Sequence, residues 1–175
     1  MLKLDYIPFS PSPHKHPRKN GQKPTWIVLH TMSGTFTGSQ SWFKNPKSKV
    51  SAHYLVSKQG DIVCMVKEGP FAAWHVVNFN SPSIGIEMED MDLKTKKFAK
   101  DNPNWYTPAQ LDKVAELTAT LMKKYLIPIN QVIGHNDPKL KALGNDHIDP
   151  QHFPWEKFRE LVKKHLEPNK NEQTK

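Results

Sequence analysis

The strongest constraint on the fold is that short apolar runs alternate along the chain with longer segments of helical periodicity. Three of these runs cover residues 26–30, 83–87 and 131–134, and each has the length of one buried strand. Residues 53–57 and 61–66 are two further runs joined by Lys-Gln-Gly, which predicts a β-hairpin. Strands interleaved with helices are typical of a sheet covered by helices.

The helical segments have recognisable boundaries. Thr107 followed by Pro108 predicts a helix start, because Thr caps the first turn and Pro fits within it. Residues 154–166 repeat this logic, and residues 38–43 predict a shorter helix. The longest helix repeats buried positions on one face: Leu111, Val114, Thr118, Leu121, Met122 and Tyr125. The predicted fold class is therefore α/β, with a central mixed β-sheet flanked by helices.

The length of 175 residues favours a single domain with flanking segments. Residues 1–24 are predicted to form an extended N-terminal arm, because five prolines lie between positions 8 and 24. His14 and His16 in this arm are predicted to be surface histidines rather than metal ligands. The folded domain is predicted to span residues 25–167, and residues 168–175 form a polar C-terminal tail.

The composition excludes several classes of site and partner. The single cysteine, Cys64, rules out an internal disulfide and a multi-cysteine zinc site. There is no apolar run of the ~20 residues that a membrane span needs and no signal-peptide pattern, so we expect synthesis in the cytoplasm without membrane insertion. The net charge of +8 attracts polyanions, but the basic residues are scattered. We therefore expect no nucleic-acid partner. We also expect the protein to be a monomer.

Three polar residues stand out by their positions. His30 and His135 each end a predicted strand, and Asp149 lies in the loop before the last helix, where α/β sheets place their sites. Two histidines and one carboxylate would suit a catalytic zinc, which takes three protein ligands and leaves one position for water. Their separations of 105 and 14 residues do not show that they converge. On spacing alone, a structural role for each histidine is the better interpretation.

Seven short motifs in a fixed order change that weighing. They are VLHT at 28–31, VSAHYLV at 50–56, AWH at 73–75, SIGIE at 83–87, YTPAQL at 106–111, IGHND at 133–137 and DPQHFPW at 149–155. This series resembles the zinc-dependent N-acetylmuramoyl-L-alanine amidases, a family that includes phage endolysins, wall-recycling amidases and the peptidoglycan recognition proteins. The resemblance implies that residues 25–167 form an amidase catalytic domain, and its mixed sheet with flanking helices agrees with the pattern above.

The resemblance also implies roles for individual residues. One Zn²⁺ per chain would be bound by His30, His135 and Asp149, and the catalytic glutamate would be Glu87. Many relatives have lysine two residues before the third ligand, where it stabilises the oxyanion; here that position is His147. A tyrosine that is catalytic in some relatives is replaced by Ala52, so the zinc and the glutamate must suffice.

Three residues near the AWH motif are candidates for substrate contact. The resemblance places His75 at the rim of the substrate groove, with Trp74 and Asn78 beside it. Trp74 could equally pack in the core, as large aromatic residues usually do. His53 is predicted to be buried and hydrogen-bonded rather than a ligand.

The expected reaction is hydrolysis of the amide bond between N-acetylmuramic acid and L-alanine in peptidoglycan or its muropeptides. The expected setting is a phage-type lysin acting on the wall after release, or an enzyme acting on cytoplasmic muropeptides. The alternative is a peptidoglycan-binding module of the same fold without catalysis. The filled ligand positions disfavour that alternative.

Overall fold

A computed structural model of the chain describes residues 2–91, residue 97 and residues 105–167. The strands are β1 (Lys15–Pro17), β2 (Trp26–Thr31), β3 (Tyr54–Val56), β4 (Ile62–Cys64), β5 (Phe71–Ala73), β6 (Ser83–Met88) and β7 (Val132–Gly134). The α-helices are α1 (Phe36–Lys44), α2 (Pro108–Tyr125), α3 (Pro138–Lys141) and α4 (Trp155–Leu166).

Five of these strands form one mixed sheet in the order β4-β3-β6-β2-β7. β2 is parallel to both of its neighbours, β6 and β7, and β3 is parallel to β6. β4 is antiparallel to β3 and completes the predicted hairpin. Because the parallel strands run the same way, their carboxyl ends meet at one edge of the sheet.

The two faces of the sheet pack against different helices. Ile27 and Leu29 of β2 are fully buried in the main core, which also contains the buried side chains of α2 and α4. Val28, between them, belongs to a separate buried cluster with Leu140 of α3. This alternation follows the two-residue period of a strand. It places His30, two residues after Val28, on the face away from α2 and α4.

The predicted fold class is confirmed, and so is most of the element order. The Thr107 cap is present, since its side-chain oxygen accepts a hydrogen bond from the Gln110 amide. The sequence interpretation missed α3 and the two-stranded sheet of β1 and β5. A proline-rich arm does not look like a strand, but β1 needs only three residues and lies at an edge, where Pro17 is tolerated. The predicted tail 168–175 lies outside the described residues.

The arm packs along the domain. Ile7 joins the main core, and the Arg18 side chain is only 6% exposed. The Arg18 guanidinium donates to the carbonyl oxygens of Glu68 at 2.9 Å and Ser83 at 2.9 Å. The expectation that His14 lies on the surface is wrong, because it is 5% exposed and its Nε2 donates to the Asn45 carbonyl at 2.8 Å.

Across the described part of the chain, no helix combines the length and the apolar character needed to cross a bilayer.

His53 is fully buried and hydrogen-bonded, as predicted. Its Nδ1 accepts from the Gly85 amide at 2.9 Å, and its Nε2 lies 3.3 Å from the Phe71 carbonyl, to which it donates. Burial first, and then the neighbouring Arg18 charge, lower the pKa of His53 to about 3. The folded protein therefore keeps this imidazole neutral throughout the range in which the unfolded chain protonates it.

This depressed pKa predicts a loss of stability in mild acid. From about pH 6.5 down to about pH 3 the unfolded chain binds a proton that the folded chain does not. The free energy of unfolding therefore decreases as the pH is lowered through this range. Between pH 7.5 and 5.5, His53 should lower the free energy of unfolding by about 1.4 kcal/mol. His53→Asn keeps an acceptor near the Nδ1 position but does not titrate. Between pH 7.5 and 5.5 the variant should therefore lose about 1.4 kcal/mol less of its free energy of unfolding than the wild-type protein does. Urea unfolding of both proteins with EDTA present tests this, and equal losses would contradict it.

Candidate metal centre

The parallel strands bring three functional side chains to the carboxyl edge of the sheet. His30 of β2 and Glu87 of β6 are register partners on neighbouring strands. His135 is the first residue after β7, and its amide donates to the Leu29 carbonyl at 3.1 Å, which continues the β2–β7 pairing. The two histidines are 105 residues apart in the sequence, but they lie at the ends of adjacent strands.

Asp149 reaches the same edge from the loop before α4. The Asn136 amide donates to the Asp149 carbonyl at 2.8 Å, which fixes the loop beside the end of β7. The Thr31 amide at the end of β2 donates to the Asp149 carboxylate at 3.3 Å. The loop is thus fixed beside β7, and the carboxylate is oriented by the end of the strand that carries His30.

The three side chains converge closely. The Nδ1 atoms of His30 and His135 are 3.0 Å apart. The Asp149 carboxylate lies 3.5 Å from His30 Nδ1 and 3.4 Å from His135 Nδ1. One ligand atom from each residue lies within 4.8 Å of the others, which is compact enough to surround one metal ion.

A chain of hydrogen bonds fixes which nitrogen of His30 carries the proton. The Ser83 hydroxyl donates to the Phe79 carbonyl and accepts from His75 Nε2 at 3.1 Å. The Nδ1 of His75 is therefore free to accept from His30 Nε2 at 3.0 Å. The Nδ1 of His30 then presents a lone pair toward His135 and Asp149. This is the tautomer that a metal requires, and it is set in the way outer partners usually orient metal-binding histidines.

The protonation states of the neighbouring groups agree with this arrangement. Burial is the largest cause of the lowered pKa of both His30 and His75, so both rings are neutral. Burial raises the pKa of Asp149, but a side-chain hydrogen bond with His135 lowers it, and the net pKa lies below its usual range. Two imidazoles and one carboxylate form a donor set that suits zinc. The residues present therefore fit the group that the resemblance implies.

Glu87 has a different environment. Its Oε2 is buried and lacks a hydrogen-bond partner among residues 2–91, 97 and 105–167. Burial first, and then the negative charges of Asp149 and Asp90, raise the pKa of Glu87 well above its usual value. A carboxyl group of this kind holds a proton readily. A cation bound nearby would lower its pKa again, because positive charge favours the carboxylate form.

His147 lies at the open side of the cluster. Its side chain is 59% exposed, and its Nδ1 lies 3.6 Å from the Asp149 carboxylate. Its ring stacks on the His135 ring with centroids 3.9 Å apart and an interplanar angle of 14°. His147 therefore borders the candidate metal centre, and the compact group of three ligand atoms does not include it.

A cavity of about 260 Å³ opens onto the candidate metal centre. Trp74 and His75, both predicted to contact substrate, line it, although His75 also supports His30 from behind. Asn78 points elsewhere: it is exposed, and its side-chain amide donates to the Leu143 carbonyl at 3.3 Å. The sequence interpretation missed Trp42, which also lines the cavity and is 51% exposed. A tryptophan on the outer side of a predicted short helix was the available signal.

Comparisons with known proteins match the chain to one family. The family described as N-acetylmuramoyl-L-alanine amidase matches residues 20–152 of the chain. N-acetylmuramoyl-L-alanine amidase A of Achromobacter lyticus is 33% identical over 155 residues, covering 78% of this chain and 81% of the relative. The 1,6-anhydro-N-acetylmuramyl-L-alanine amidase AmpD of Escherichia coli is 31% identical over 185 residues, covering 88% and 91%.

Solved structures show the same fold. A crystal structure of a selenomethionine derivative of AmpD superimposes with a TM-score of 0.70 at 30% identity, covering 89% of this chain and 94% of that one. The amidase AmiD from E. coli, solved with anhydro-N-acetylmuramic acid-L-Ala-D-γ-Glu-L-Lys, matches with a TM-score of 0.63 at 25% identity. That match covers 83% of this chain and 60% of AmiD.

The packing of His75 on β6 predicts the effect of a single methyl group. A Cβ added at Gly85 would lie 2.6 Å from His75 Cγ, which is closer than real contacts allow. Gly85→Ala should therefore displace the ring that holds His30 and lower the free energy of unfolding by about 1–3 kcal/mol, as overpacked cores do. Urea unfolding with EDTA present measures this loss.

Gly34→Ala is the matched control. A Cβ at Gly34 would meet its nearest atom, the Ser39 hydroxyl oxygen, at an ordinary 3.6 Å. Its stability should stay within about 0.5 kcal/mol of the parent. Equal free energies of unfolding for the two alanine variants would show that the packing of the His75 ring does not require glycine at position 85.

Proposed function

Because the chain belongs to the N-acetylmuramoyl-L-alanine amidases, which hydrolyse the bond between N-acetylmuramic acid and L-alanine, we propose that His30, His135 and Asp149 hold one zinc ion for this reaction. The observation that supports the metal is the fixed tautomer of His30. Its Nε2 proton is committed to His75, so its Nδ1 lone pair faces the other two ligands. When bound, zinc supplies a Lewis acid that polarises a carbonyl and lowers the pKa of water.

Glu87 is the proposed general base and acid. Its buried Oε2 accepts a proton from the attacking water as the water oxygen bonds to the lactyl carbonyl carbon. When the carbon–nitrogen bond breaks, Glu87 returns that proton to the leaving nitrogen of L-alanine. The products are the free lactyl carboxyl group and the peptide amine, and Glu87 is regenerated. Its raised pKa suits a group that must both accept and release the proton.

His147 is the proposed donor to the oxyanion. Its exposed ring is held by stacking on His135 and lies at the cavity beside Asp149. A nitrogen–hydrogen group there can donate to the carbonyl oxygen as negative charge develops on it. Lysine has this role in many relatives, and an imidazole supplies the same kind of hydrogen bond.

The proposed substrates are soluble muropeptides. AmpD, whose printed name specifies 1,6-anhydro-N-acetylmuramyl-L-alanine, covers most of this chain, and the AmiD structure holds an anhydro-muropeptide. The net charge of +8 favours the other candidate, the polyanionic cell wall. Incubation with intact sacculi and with anhydro-muropeptides, followed by product masses, decides between them. We expect the protein to act as a monomer without membrane insertion.

The proposed division of roles predicts two classes of variant. His135→Ala and Asp149→Ala each remove a metal ligand, so zinc content and turnover should be lost together. Glu87→Gln keeps the size of the side chain and should retain one zinc per chain while turnover falls ~10²–10⁴-fold. Zinc is measured by elemental analysis and turnover by release of L-alanyl peptide.

Two results would contradict this assignment. Full turnover in zinc-free protein would remove the metal from the reaction, and near-normal turnover of Glu87→Gln would move the base to another residue. Wild-type protein that binds muropeptide without zinc or hydrolysis would support the binding-module alternative.

The role of His147 predicts a separate pattern. His147→Ala should retain zinc but lower turnover ~10²–10³-fold, the usual cost of one oxyanion donor. His147→Lys places another nitrogen–hydrogen donor at this position and should restore part of the rate. Turnover and zinc content across pH 5–9 measure both effects. Unchanged turnover of His147→Ala would exclude His147 from the mechanism, and lost zinc would make it a ligand.

A further inference from the structure

Trp74 forms part of the cavity wall and is attached to the N-terminal arm. Its indole Nε1 donates to Nδ1 of His16 at 3.1 Å. Its backbone amide donates to the Ser51 hydroxyl at 2.9 Å, and that hydroxyl donates to the His14 carbonyl. Both the backbone and the side chain of Trp74 are therefore held by contacts that lead to the arm.

The arm is itself rigidly placed at this point. Strand β1 pairs with β5, so Lys15 lies opposite Ala73, the residue directly before Trp74. Arg18, one residue after β1, is nearly buried and donates to the Ser83 carbonyl of β6. His16 therefore projects from a strand that is anchored to the sheet carrying Glu87. These arm residues precede the segment 20–152 that matches the family.

The hydrogen bonds of His16 define its tautomer. Nδ1 accepts from the indole, so Nε2 carries the proton and donates to the Ser81 hydroxyl at 3.2 Å. The ring is thus fixed on both sides and presents a single acceptor to Trp74. If that acceptor were removed, the half-buried indole nitrogen would lose its partner. The His14 ring also packs against the indole, with centroids 5.4 Å apart and an interplanar angle of 42°, so His14 supplies a ring contact and His16 the hydrogen bond.

We infer that His16 is a positioning residue, whose Nδ1 holds the Trp74 indole in the orientation that receives the muropeptide. The inference rests on the proposed function in one respect, that substrate occupies the cavity which Trp74 lines. The hydrogen bonds of His16 are to Trp74 and Ser81, so it acts on substrate affinity through Trp74. Pre-orienting a binding surface lowers the cost of ordering it when the substrate binds.

The expected kinetic effect is specific to binding. His16→Ala should raise KM about 3–10-fold and leave kcat within about twofold, because contacts shared by the ground and transition states change KM alone. His16→Asn places an amide oxygen near the position of Nδ1 and should restore most of the affinity. Trp74→Phe keeps an aromatic ring but lacks the donor, so it should raise KM to a similar extent. The substrate is anhydro-N-acetylmuramic acid-L-Ala-D-γ-Glu-L-Lys.

A double-mutant cycle separates the hydrogen bond from general packing. If the bond positions the indole, His16→Ala should add little to KM when Trp74 is already Phe. A wild-type KM for His16→Ala, or additive effects in the double variant, would overturn the inference. Equal KM values for His16→Ala and His16→Asn would overturn it as well. If His16→Ala does not fold, Trp74→Phe and His16→Asn test the same hydrogen bond. A wild-type affinity of Trp74→Phe for the muropeptide would then be sufficient to reject the inference.

Equilibrium binding keeps this test distinct from the proposed reaction. Calorimetry with the same muropeptide on the Glu87→Gln background measures affinity without turnover. Weaker binding after His16→Ala, with recovery in His16→Asn, supports the positioning role. Muropeptide binding that His16→Ala leaves unchanged rejects the role of His16 and leaves the amidase assignment standing.

Discussion

The parallel pairing of β2 with β6 and β7 is the constraint on which the site depends. It places the ends of three strands side by side, so that His30, Glu87 and His135 meet although they are distant in the sequence. A shift of one residue in β2 would turn His30 to the opposite face, into the core against α2 and α4. The apolar residues Ile27 and Leu29 prevent that shift, because both are fully buried on the helix side. Burial of hydrocarbon on one face thus determines the chemistry of the other.

Placing so many histidines in the interior requires that each of them stays neutral and hydrogen-bonded. The chain from Ser83 through His75 to His30 meets this requirement, and it also leaves one lone pair directed at the ligand cluster. His53 follows the same rule with backbone partners, and no lone pair of His53 is directed at the cluster. His30 and His53 are both buried, and they differ in role because their hydrogen-bond partners differ. Glu87 Oε2 and His135 Nε2 are exceptions, since each is buried without a partner in the described part of the chain, and Glu87 is the proposed proton carrier.

The sequence predicted the parts of the fold that depend on local pattern. The strands at residues 26–30 and 83–87, and the helix that Thr107 caps, follow from apolar periodicity and capping. The convergence of His30, His135 and Asp149 was not accessible to spacing, because it depends on strand order, and only the family resemblance suggested it. The support of His30 by His75 could not be predicted either, since it requires a ring packed over Gly85. The sequence predicts an extended arm but not strand β1 within it, because a three-residue strand that contains a proline lacks the alternating apolar pattern of longer strands.

The metal centre and the orientation of Trp74 depend on different parts of the chain. The proposed ligands and Glu87 are fixed by the parallel sheet and by loops within residues 20–152, whereas Trp74 is oriented by His16, which lies before that segment. Strand register tolerates little change, because a single shift would dismantle the centre. An arm that pairs with β5 over three residues can change its side chains without altering that register. Variation in the arm can therefore change the orientation of Trp74 while the proposed ligands and Glu87 keep their places.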